Sequence, residues 1–80
     1  MSQYFFDLTA GAVVAVDDEG LQFKDVDVAY EEAVAALAKV IETGVAQGLS
    51  GQAFAIEVRD QIGPVFRLTA TVSSEILRKQ

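Results

Sequence analysis

The stretch FAIEVRDQIGPVFRLTATV, residues 54–72, decides the fold. Phe54, Ile56 and Val58 share one side of an extended chain. Phe66, Leu68, Ala70 and Val72 share one side of a second, and this period of two is that of half-buried strands. Between them Gln61-Ile62-Gly63 ends in glycine, which suits a three-residue hairpin loop whose last residue takes positive φ. Such a loop sets Val58 opposite Phe66, Ile56 opposite Leu68 and Glu57 opposite Arg67. The last is an opposite-charge pair on the outer face, whereas a shift of two residues would oppose Arg59 to Arg67. Pro64 falls at the start of its strand, where a missing donor is tolerated.

The same device is expected at the N-terminal end. Residues 3–8 (QYFFDL) alternate and residues 12–16 (AVVAV) are short and β-branched, with Thr9-Ala10-Gly11 between them as a second three-residue loop. That loop sets Leu8 opposite Ala12, Phe6 opposite Val14 and Tyr4 opposite Val16. Phe5, Val13 and Ala15 then fall on the outer face. Between the hairpins, Val26, Ala29, Tyr30, Ala33, Val34, Leu37, Val40 and Ile41 recur at three- and four-residue spacing, which predicts an amphipathic helix over 26–43. Asp25 is its N-cap, and Gly44 can stop it, with frayed turns able to run on towards Gly48. Residues 45–52 read as a connector and 73–80 as a loose tail. The expectation is one small α+β domain over residues 1–80. Its antiparallel sheet has about four strands, with one amphipathic helix packed on one face, in the order ββαββ.

Composition narrows the function. Residues 1–32 carry eight acids against one base, Lys24, within a chain of net charge −6. Such a surface repels phosphate backbones and anionic lipid, so neither nucleic acid nor membrane is expected as a partner. No apolar run approaches the roughly 20 residues of a membrane span, and MSQYFFDLT lacks the basic flank of a signal peptide, so the expected location is the cytoplasm. The chain has no cysteine and no histidine. Catalytic triads, thiol nucleophiles and the usual zinc sites therefore lack their residues. No cofactor and no catalytic residue is expected.

The stretch VDDEG, residues 16–20, concentrates carboxylates. An EF-hand loop with Gly20 at its sixth position would put Ala15 first and Val26 twelfth, so the motif fails at both ends. The stretch is expected to be a turn, with Asp opening it and Gly20 supplying positive φ. A weak divalent-cation site on Asp17, Glu19 and Asp25 is the alternative. The outer sheet face suggests an interaction surface, with Phe5 and Val65 supplying area and Arg59 and Arg67 orientation. The function expected from this is a small non-enzymatic interaction or accessory module. A homodimer pairing its sheet faces or edges is one form it would take, and a different protein bound to the outer face is another.

Several short motifs occur in order: Tyr4-Phe5-Phe6-Asp7, Asp18-Glu19-Gly20, Asp25-Val26 with Ala29 and Ala33, and Val58-Arg59-Asp60 with Gly63. In these the chain resembles a family of short bacterial proteins of unknown function, common in rhizobia and their relatives. The resemblance spans nearly the whole chain and implies no activity, substrate or cofactor. The loop Gln61-Ile62-Gly63 departs from the more polar Asp-Gly turn of that family.

Overall fold

The computed structural model describes residues 1–46 and 51–78. In chain order the elements are β1 (Ser2–Ala10), β2 (Val13–Ala15), β3 (Leu21–Phe23), α1 (Val26–Ala46), β4 (Ala53–Arg59) and β5 (Pro64–Thr71). This is the expected α+β architecture with one strand more, because the extended piece Leu21–Phe23 pairs with β1. The sheet order is β2-β1-β4-β5, with β3 also on β1, and every pairing is antiparallel. The two longest-range partners, β1 and β4, therefore lie at its centre. Residues 47–50 of the expected connector and 79–80 of the expected tail lie outside the described residues. Residues 73–78 form no helix or strand.

The second hairpin has the expected register, with Val58↔Phe66, Glu57↔Arg67 and Ile56↔Leu68. Its loop is one residue longer, because a register shift after Val58 pairs Arg59 with Pro64. The Asp60 carboxylate closes the turn by accepting the amides of Ile62 (2.8 Å) and Gly63 (3.1 Å). This is the Asx geometry that aspartate supplies at a turn start.

The first hairpin differs from expectation. Ala10 pairs with Val13 and Leu8 with Ala15, so the loop is the two-residue Gly11-Ala12. Gly11 has φ 61° and Ala12 a negative φ, the sign pattern of a type II′ turn, whose twist matches that of flanking strands. One residue fewer in the loop reverses the faces of β2. Val14, opposite Thr9, therefore lies on the outer face, and Val13 and Ala15 do not.

The core lies between α1 and the inner face of the sheet, and consists of Tyr4, Ala29, Ala33, Leu37, Phe54, Ile56 and Val58. Phe23 joins it through ring contacts to Tyr4 (6.3 Å) and Phe6 (5.8 Å). Asp25 caps the helix as expected, accepting the Val28 amide at 3.1 Å. Gly44 does not stop it; it is buried, and the helix continues to Ala46. The buried stripe is also narrower than the spacing suggested. Ala29 and Ala33 reach zero exposure, whereas Val26, Tyr30 and Val34 are 40%, 48% and 46% exposed. Alanines at the contact let the helix sit close over β4, and the larger side chains are left along its flank.

Ile56 is fully buried at the centre of this core. Ile56→Ala is expected to cost about 3–4 kcal/mol, through lost burial and the cavity left behind. Urea unfolding followed by circular dichroism measures it.

Candidate functional site

The chemistry-bearing side chains gather where residues 16–20 cross the middle of β1. Gly11 N–H donates to the Ala53 carbonyl at 2.9 Å, in phase with the β1–β4 register. Odd-numbered residues of β1 therefore exchange bonds with β4, and even-numbered ones aim their amides at the other edge. On that edge β2 covers residues 8–10 and β3 covers residues 2–4. Phe6 lies in the gap, and its amide donates to Asp17 Oδ2 at 3.1 Å. Asp17 Oδ1 accepts the amides of Glu19 and Gly20, each at 3.0 Å. One carboxylate thus stands in for a strand and closes its own turn.

Arg59 fastens this turn to the sheet. Its Nε donates to Asp7 Oδ2 at 2.8 Å, and one terminal nitrogen donates to the Asp17 carbonyl at 2.6 Å. The Asp17 amide returns to Asp7 Oδ1 at 2.9 Å. The guanidinium carbon also lies 4.5 Å from the centre of the Phe5 ring, a cation–π contact. Gly20 closes over the same ring. With φ 73° it holds a conformation glycine favours, and a Cβ there would stand 3.0 Å from Phe5 ring carbons and the Tyr4 carbonyl. VDDEG is accordingly a turn clasped over the outer face.

The charges follow from these contacts. The Arg59 hydrogen bond holds the Asp7 carboxyl below the usual carboxylate range, against an opposing push from burial. Burial pushes Asp17 up, but the amides of Gly20, Phe6 and Glu19 together with Arg59 outweigh it, and the net shift is downward. Arg59 is raised, chiefly by its bond to Asp7. Arg67 bonds Glu57 through Nε at 3.0 Å and through a terminal nitrogen. Across β1, β4 and β5 the outer-face row therefore reads Asp7, Glu57, Arg67, and Arg59, two residues along β4 from Glu57, reaches Asp7 diagonally, so the two adjacent acids are each held by their own arginine.

Of the proposed contact residues, Phe5 and Arg59 are brought together and engaged with each other. Val65, 40% exposed, and Arg67 remain at the surface on β5. Of the proposed cation ligands, Asp17 is taken up by three amides, Asp25 caps the helix and Glu19 is exposed. Among the described residues no group of three or more acidic side chains is placed to hold a metal ion. A cation bound there would have to displace amides already satisfied by Asp17. A shallow groove of about 410 Å³ runs beside the clasp, floored by Thr9, Ala55 and Thr69 and walled by Val14, Val16 and Arg67.

Asp7 was not singled out by the sequence pattern as a functional residue. The available signal was its place on the outer face of a strand, with Arg59 the one outer-face arginine of the second hairpin lacking an acid opposite within that hairpin. The fold and clasp define a small α+β domain in which a helix covers one sheet face and an ionic clasp covers part of the other. The chain belongs to the family described as a domain of unknown function (DUF6894), which it matches over residues 3–71. That span runs from β1 to the last residue of β5 and accords with the resemblance in the sequence motifs. No curated protein and no solved structure matches the chain.

Two outcomes are expected of the clasp. Arg59→Met should lower the urea midpoint, because Asp7 and the Asp17 carbonyl lose the charged donor that joins them. The acid response follows from the lowered carboxyls. Their folded pKa values lie below the ordinary ~3.9, so the unfolded chain binds more protons and stability is lost as pH falls through the depressed values. Asp7→Asn should flatten that loss between about pH 5 and pH 2, read as a smaller fall in urea midpoint than the native protein shows.

Proposed function

We propose that the chain is a small non-enzymatic interaction module of the cytoplasm that works as a homodimer joined through its sheet. One observation carries this reading. The exposed apolar groups Val26, Tyr30 and Val34 run along one flank of α1, and the Tyr30 ring meets Phe66 of β5 at 5.4 Å. Helix flank and strand thus form one apolar margin at a boundary of the sheet. Margins of this kind in small domains mark interaction surfaces. The three flank residues follow at four-residue spacing, so they form a stripe with no charged side chain within it.

The non-enzymatic part rests on how the acids are used. Asp7 and Asp17 spend their oxygens on Arg59 and backbone amides, and their lowered pKa values suit permanent anions better than proton donors at neutral pH. Among the described residues, no helix is long and apolar enough to cross a membrane.

Sedimentation equilibrium from about 1 μM to 1 mM protein is expected to show a reversible monomer–dimer transition, the range in which weak to moderate protein association falls. A monomer at every concentration would remove self-association as the function.

A further inference from the structure

Resting on that reading of self-association, we infer that the contact is an antiparallel pairing of β5 with β5 of a second copy, centred on Leu68. The two edges of the sheet differ in kind. One is divided between β2 and β3, three residues each, and its gap is sealed by the Asp17 carboxylate. Such short, interrupted edges discourage further strand addition. The other edge is β5, eight residues long, with proline only at its first position and no lysine. Its one charged side chain, Arg67, is turned to the outer face and held by Glu57.

The hydrogen-bonding phase of that edge follows from the ladder. Odd residues of β1 exchange bonds with odd residues of β4, so the even residues of β4, Phe54, Ile56 and Val58, bond to β5. Their partners are Ala70, Leu68 and Phe66. The backbone groups of Val65, Arg67, Thr69 and Thr71 therefore point away from the sheet. A two-fold axis at Leu68 sets Arg67 against Thr69 and Val65 against Thr71 of the other copy. Among the described residues, nothing pairs with the outward amides and carbonyls of these four.

The side chains select the same register. On the outer face each bulky residue of the first half of β5 meets a small one of the second half: Val65 meets Thr71 and Arg67 meets Thr69. On the inner face Phe66 meets Ala70, and Leu68 meets its own copy. Centring the pair on Arg67 would oppose two guanidinium groups, which is unfavourable. Centring it on Thr69 would carry Val65 past the end of the partner strand and set Phe66 against Val72. The Leu68 register also brings the inner face of one β5 beside that of the other, with the Tyr30 and Val34 flank of each helix alongside. An isologous contact of this kind is closed, and stops at two copies.

Opposite charge changes at Thr69 test this with the full chain. Thr69 is exposed, and in the Leu68 register it faces Arg67 of the other copy twice per dimer. Thr69→Arg is expected to weaken the dimer about tenfold and Thr69→Glu to strengthen it about tenfold in sedimentation equilibrium. Val14→Arg, on the outer face of β2 at the far edge of the sheet, should leave the dimer constant unchanged. The amides of Arg67 and Thr69 should exchange with deuterium more slowly as protein concentration rises. A dimer indifferent to both Thr69 changes, or one broken by Val14→Arg, would overturn the edge assignment while leaving self-association standing. A monomer at every concentration would overturn both.

Discussion

The Asp17 carboxylate crossing the open edge of β1 is the contact on which the rest of the structure depends. β1 needs a partner along its whole outer edge, but β2 and β3 reach only its two ends, and the Phe6 amide between them must be satisfied in a partly buried place. An unpaired amide there would cost about 1–3 kcal/mol. Asp17 meets that need with one oxygen and closes its own turn with the other, so a single side chain sets where β2 ends and how the chain returns as β3. Arg59 then holds the turn against the sheet through Asp7 and the Asp17 carbonyl. The bulge between Val58 and Arg59 falls at this point, where β4 leaves its β5 register to serve the clasp.

This arrangement makes the molecule asymmetric. The edge formed by β2, the turn and β3 is closed by local contacts, and the outer face above it is partly covered by the stacked Phe5 and Arg59. The opposite edge receives none of this. Small residues at Ala29 and Ala33 draw the helix over β4, which leaves Tyr30 and Val34 beside β5 with only part of their surface covered. Close packing at the centre and exposure at one margin thus have a common origin in the size of the helical contact residues. The margin is where a partner would bury the most apolar surface for the least rearrangement.

Much of the fold was legible along the chain. The alternation of Phe54–Val58 and Phe66–Val72, the Asp25 cap and the order of strands and helix are local patterns, and they appear as expected. The register of the second hairpin was also legible, because Glu57 opposite Arg67 and the like-charge alternative could be weighed from residue types alone. The candidate site was legible only in part. Phe5 and Arg59, expected as surface contacts, hold each other, and the bond that fixes Arg59 to Asp7 joins residues 52 positions apart. No short-range pattern announces such a pair.

Periodicity and turn residues act over a few neighbouring positions, and they suffice for the helix, for four of the five strands and for the inner faces of β1, β4 and β5. Only the tertiary structure decided the first hairpin's register, the placement of β1 beside β4 and the use of Asp17 as a strand substitute. A single residue in the Gly11-Ala12 loop reverses which valines of β2 face outward, and loop chemistry alone permits either length. The choice rests on contacts distant in sequence: β1 pairs along β4, the clasp forms with Arg59, and the loop takes the length that leaves both intact.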